Sequence, residues 1–140
     1  MCSDRPLFVY GSLGITVVQR ALLAKSLVGR DAWLPGFALR RYGDRPYPAV
    51  WEDPTSSVKG QILIISPNDW PLLDAWEEAP QLYVRQEAHA TLSDGIELEV
   101  EVYVPSHHPG PFPWDDRMYP AINTMVADAS AVRRHSQPGH

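Results

Sequence analysis

The feature that most constrains this chain is a pair of β-favouring runs, Leu82 to Leu92 and Ile96 to Val104, separated only by Ser93-Asp94-Gly95. In the second run Ile96, Leu98, Val100, Val102 and Val104 alternate with Glu97, Glu99, Glu101 and Tyr103. A period of two places one set on a buried face and the other on a wet one. Asp94-Gly95 predicts a two-residue hairpin turn with positive φ at both positions.

Strand signals continue upstream. Leu7-Phe8-Val9-Tyr10 is a short apolar run ended by Gly11 and Ser12, which reads as a buried strand entering a tight turn. Ala32-Trp33-Leu34 and Phe37-Ala38-Leu39 flank Pro35-Gly36, a dipeptide that predicts a turn or an irregular strand. Tyr47 to Trp51 reads as extended, with Pro48 confining it to an edge or a strand start. Val58 to Ile65 ends in Ile62-Leu63-Ile64-Ile65 and reads as a central strand.

Helical spacing is confined to short stretches. Thr16 to Leu27 carries apolar residues at helical intervals, with Gly29 as the expected stop. Ser66-Pro67-Asn68-Asp69 has the chemistry of a helix start, with Ser66 as cap and Pro67 in the first turn. Trp70, Leu73 and Trp76 or Glu77 then share a face, which puts Glu77 near the helix end. After Pro105, prolines 109, 111, 113 and 120 interrupt every candidate element, so this part reads as a loop or wrap. One short helix is expected within Tyr119 to Val132, and a flexible end from Arg133 to His140. The division read from the sequence is thus a domain over 1–105 and a proline-rich wrap and tail over 106–140, part of the same domain or flexible.

Composition excludes several classes. The chain has 140 residues, of which 44% are apolar and 21% charged, ordinary values for one globular domain. A formal charge of -5 disfavours a nucleic-acid binder, which needs clustered cations. Arg40, Arg41 and Arg45 read as a solvated loop. The single cysteine, Cys2, leaves no internal disulfide. No basic region followed by a long apolar stretch opens the chain, and no run reaches membrane-spanning length. The expectation is a cytoplasmic protein without a membrane or nucleic-acid partner, monomeric or a small homo-oligomer. His107, His108 and His140 are the candidate metal ligands, but adjacent histidines in a proline-rich segment lack the signature of a metal cage, so no metal is expected.

Two places carry candidate chemistry. Glu77 and Glu78 follow Trp76 and precede Ala79-Pro80, where apolar walls can tune a carboxyl group. Tyr10-Gly11-Ser12-Leu13 is a strand-to-helix turn whose backbone amides favour an anion. Taken singly, the first reads more readily as a solvated helix end and the second as an ordinary tight connection, and neither names a reaction.

In order, the chain carries Leu7-Phe8-Val9-Tyr10-Gly11-Ser12-Leu13, Tyr47-Pro48-Ala49, Leu73-Asp74-Ala75-Trp76-Glu77, Leu82-Tyr83-Val84-Arg85 and Val102-Tyr103-Val104. This ordered set resembles the gamma-glutamyl cyclotransferase-like family, including the gamma-glutamylamine cyclotransferases, over roughly residues 7 to 105. The resemblance implies an α+β fold, a small mixed β-barrel with short surrounding helices. It implies a cofactor-free enzyme releasing 5-oxoproline from a γ-glutamyl amine or peptide. Glu77 would be the general acid/base, Tyr10, Gly11, Ser12 and Leu13 the turn that holds the γ-glutamyl group, and Tyr83 and Tyr103 substrate-binding tyrosines. Glu78 stands where the family's glycine is usual and is expected to point outward, and Gly14 stands where many relatives carry a longer side chain. Those departures keep two rivals open: a hydrolase or acyl-transfer enzyme of the same fold, and a non-catalytic domain binding a partner through the same cavity.

Overall fold

The computed structural model describes residues 3–136, so Cys2 and His140 lie outside the described residues. Five strands, β1 (Arg5–Val9), β2 (Arg30–Arg41), β3 (Pro48–Ile65), β4 (Tyr83–Leu92) and β5 (Glu97–Pro105), close into a barrel in the order β1-β3-β2-β4-β5. Every pairing is antiparallel except the seam between β1 and β5, which is parallel. Three helices, α1 (Thr16–Leu23), α2 (Trp70–Trp76) and α3 (Ile122–Ser136), complete an α+β fold. Among the described residues no helix is long and apolar enough to cross a membrane.

Two apolar cores follow from the alternation of side chains along the strands. Phe8, Leu34, Val50, Ile62, Val100 and Val102 belong to a cluster built wholly from strand residues, which fills the barrel. Leu7, Val9, Leu22, Leu63, Leu73 and Met125 belong to the second, between the barrel wall and the helices. β1 serves both, Phe8 on one side and Leu7 and Val9 on the other. A strand buried on two faces has no polar alternate, hence its unbroken apolar run. β1 also lies very close to β3. A Cβ on Gly60 would sit 2.3 Å from the Val9 carbonyl oxygen and 2.7 Å from Phe8 Cζ, so only glycine fits.

Several elements differ from the sequence expectations. α1 stops at Leu23, because Ala24 takes a left-handed conformation and the buried Gln19 side chain accepts from the Leu27 amide. The Ala32 and Phe37 segments are one strand with a register shift at Pro35/Phe37, where Gly36 has φ +86. The Tyr47 and Val58 segments likewise merge into β3, which begins at Pro48. Ser66 does not cap through a backbone amide; its hydroxyl donates to Asp69 Oδ2 at 3.0 Å.

The hairpin loop also departs from the two-residue turn. The Leu92 amide bonds the Ile96 carbonyl, the Gly95 amide bonds the Leu92 carbonyl, and only Gly95 has positive φ. This is a three-residue connection with glycine in the left-handed place. On β5 the face expected to be wet is so only at its start. Glu99 is exposed, whereas Tyr103 is 2% exposed in the core beneath the helices. α3 extends through Ser136 where a flexible end was expected, and its Met125 and Ala129 are fully buried.

Candidate active site

Glu77 sits where α2 ends. Its amide donates to the Leu73 carbonyl, the Glu78 amide to the Ala75 carbonyl, and the Ala79 amide reaches back to the Asp74 carbonyl at 2.9 Å. These last two bonds, with Glu78 at φ +51, form the Schellman closure that commonly ends a helix. The left-handed position between them is the one glycine fills without a Cβ penalty, which fits the glycine that the resemblance leads one to expect there. Glu78 is exposed there, so its side chain points outward, though it borders the mouth of the cavity described next. Glu78→Gly is expected to raise stability by about 1 kcal/mol, read from urea midpoints near neutral pH.

A cavity of about 400 Å³ brings Glu77 together with Tyr10, Gly11, Ser12, Leu13, Tyr83 and Tyr103, all the residues singled out in the sequence. Small-molecule sites commonly have this size. Ser12 and Leu13 open a short 3-10 turn closed by the Gly14 amide on the Gly11 carbonyl. Their own amides therefore have no acceptor within the turn. The turn is pinned from behind, where Gln19 Nε2 donates to the Leu13 carbonyl at 2.7 Å.

Hydrogen bonding gives the cavity a donor side and an acceptor side. Trp76 Nε1 donates to Ser12 Oγ at 3.0 Å, which leaves the serine proton free to donate. The tyrosine protons are already committed. Tyr10 donates to the Tyr103 carbonyl, Tyr83 to the Pro48 carbonyl at 2.7 Å, and Tyr103 to Asp74 Oδ1 at 2.6 Å. A ligand group meeting one of these phenolic oxygens must itself donate. The turn thus suits a carboxylate or an oxyanion and the tyrosines suit an ammonium.

Ionisation follows the same enclosure. Burial, then the charges of Asp74 and Glu78, push the Glu77 carboxyl from 4.5 up to about 8. Burial is likewise the first cause holding Tyr10, Tyr83 and Tyr103 above the usual phenol range, so they stay neutral. A carboxyl near 8 among neutral hydroxyls can exchange a proton with an amine near physiological pH.

Other lining residues escape a reading of the sequence. Tyr47 packs edge-on against Trp76 and Tyr119, and α3 contributes Asp128 and Val132. Tyr47-Pro48 belongs to the ordered motifs but carries no role among them; the α3 residues give no signal, lying beyond the proline-rich segment. That segment reaches the site through Trp114, which packs edge-on against Tyr119. His108 lies against Trp51 instead of joining other donors, and among the described residues no group of three or more His, Cys, Asp or Glu is placed to hold a metal.

The barrel and cavity define a recognisable class. The family model described as gamma-glutamyl cyclotransferase, AIG2-like matches residues 7–121, and the chain belongs to that family. AIG2-like protein C of Arabidopsis thaliana is 37% identical over 100 residues, covering 70% of this chain and 57% of its own length. AIG2-like protein D of the same plant is 32% identical, covering 69% and 64%. The chain therefore spans about three-fifths of these relatives. A solved structure named gamma-glutamyl cyclotransferase superposes with a TM-score of 0.67 at 16% identity, covering 94% of this chain and 81% of the other. The solution structure of an Arabidopsis thaliana protein gives 0.67 at 23% identity, covering 94% and 85%.

Proposed function

We propose that this chain is a cofactor-independent γ-glutamyl cyclotransferase that releases 5-oxoproline from a γ-glutamyl amine or peptide. The reading is carried by one observation: the enclosed Glu77 carboxyl shares a cavity with the free amides of the Ser12-Leu13 turn. In this scheme the substrate's α-carboxylate and γ-carbonyl oxygen lie toward the turn and the serine hydroxyl, and its α-ammonium lies toward the tyrosine oxygens. Ionised Glu77 takes one proton from the ammonium. The freed amine attacks the γ-carbonyl carbon, a C–N bond forms, and the resulting oxyanion is held by the turn. Collapse breaks the original amide C–N bond as protonated Glu77 returns its proton to the departing amine, and the ring nitrogen gives up its second proton to that released amine, leaving a neutral lactam and an ammonium product. No water is consumed, and holding both ends of one molecule near attack geometry supplies much of the acceleration.

The test is incubation of purified protein with γ-glutamyl amino acids, γ-glutamyl amines and glutathione, with products read by mass spectrometry. Release of 5-oxoproline by the wild type, with turnover in Glu77→Gln reduced by roughly 10²–10⁴-fold, is the expected result. Free glutamate in its place would mean hydrolysis, and full turnover by Glu77→Gln would remove Glu77 from its role. The kcat/KM of the wild type should fall as pH drops below about 8, because the base must begin unprotonated.

A further inference from the structure

Outside the cavity, beside α2, lies a line of charges that the proposed reaction does not use. Arg85 on β4 pairs with Asp74, its Nη2 donating to Oδ2 at 3.3 Å and its Nε lying 3.1 Å from Oδ1. Its Nη1 is 3.5 Å from Glu101, which Arg5 also pairs. The guanidinium lies 4.5 Å over the Trp70 ring. Arg85 stands opposite Tyr103 in the β4–β5 ladder, and the Tyr103 hydroxyl bonds the same Asp74 carboxylate. Asp74 is held at both ends, since its carbonyl receives the Ala79 amide that closes the turn around Glu77.

We infer that Arg85 is a positioning residue for Glu77: through its ion pair with Asp74 it fixes the end of α2 and offsets the charge that Asp74 presents to the Glu77 carboxyl. This deepens the proposed function and rests on Glu77 being the acid/base group. Helical neighbours three residues apart share a face, so Asp74 lies one turn before Glu77. A carboxylate there, left without a counter-ion, disfavours ionisation of its neighbour. Asp74 and Glu78 face Glu77 from its own element. Tyr10, Tyr47, Tyr83, Tyr103 and Tyr119 surround it from the others, and Asp128 of α3 completes the charged groups at the cavity. Among the described residues no lysine or arginine lines the cavity, and Arg85, paired with Asp74, is a cation bound to this acidic set from outside it.

Opposite effects of the two partners distinguish this role from mere packing. Glu77 is titrated by carboxyl carbon-13 NMR in the full chain, its signal assigned by loss in Glu77→Gln. Arg85→Gln should raise the midpoint by roughly half a pH unit and Asp74→Asn lower it by roughly one. Arg85→Lys, which keeps the charge, should lie nearer the wild type than Arg85→Gln, and the double variant between the two single ones. An unmoved or lowered midpoint in Arg85→Gln, or equal changes from Lys and Gln, would overturn the inference. Should Arg85→Gln not fold, Asp74→Asn carries the test alone, and the absence of a downward move sinks it. The readout needs no turnover, so a chain that releases no 5-oxoproline refutes the proposed activity while leaving this coupling to be decided by the titration.

Discussion

Glu77→Gln is expected to unfold at a higher urea concentration than the wild type at pH 9, although the same change removes the proposed activity. Folding carries the carboxyl from 4.5 to about 8, so between those values the folded state holds a proton that the unfolded chain has released. Stability must then decline as pH rises through this window and level off above it. Every pH unit of that window corresponds to about 1.4 kcal/mol. Because Glu77 keeps some solvent contact, we discount the full difference to an advantage of about 2 kcal/mol for the neutral amide. At pH 4 both proteins have an uncharged side chain and their midpoints should converge. Equal midpoints at pH 9 would show that the carboxyl is not held in an unfavourable environment.

The second large effect lies in the barrel. Gly60→Ala is expected to cost about 3 kcal/mol or more, because the added methyl meets the Val9 carbonyl and the Phe8 ring, and a main-chain oxygen cannot swing aside. β1 would have to move away from β3, taking with it the turn at Gly11 to Leu13. Gly14→Ala is the control. Its Cβ would meet nothing nearer than Val9 Cγ2 at 3.8 Å, an ordinary contact, so urea midpoints should barely change. Similar losses in both variants would mean that the close approach at Gly60 is not what excludes a side chain.

The parts of this fold legible in the sequence are those whose pattern is local. β1, the β4–β5 hairpin and the helix leading to Glu77 each announce themselves within about ten residues, by alternation, a turn dipeptide or a helical face. The continuous length of β2 and β3 is not legible, because Pro35-Gly36 breaks the pattern locally while the ladder carries the strand across the bulge. Tyr103 reads as wet because its neighbours on that face, Glu99 and Glu101, are acidic. Its burial depends on α2 crossing just there, a contact that a one-dimensional period cannot register. The shape of the candidate site is likewise only partly readable. Tyr10, Glu77, Tyr83 and Tyr103 can be named through motifs, but the spending of each phenolic proton on a distant carbonyl or carboxylate is a product of closure. Glu78 is the reverse case. In the sequence it stands out as a chemical departure, and the backbone explains the position as one of left-handed geometry.

The parallel seam between β1 and β5 bears on when this protein acquires its site. Tyr10 and Tyr103 are bonded although 93 residues separate them. At ordinary rates of about 5–20 residues per second, a nascent β1 waits several seconds for its partner to leave the ribosome. Until then the first strand offers an open edge, and contacts this remote are slow to form. The floor of the cavity joins residues from both sides of that seam, so a half-made chain has no rudimentary pocket to bind with. Ligand recognition should therefore arrive in one step with barrel closure, and a ligand of this cavity can stabilise the finished fold without guiding its assembly.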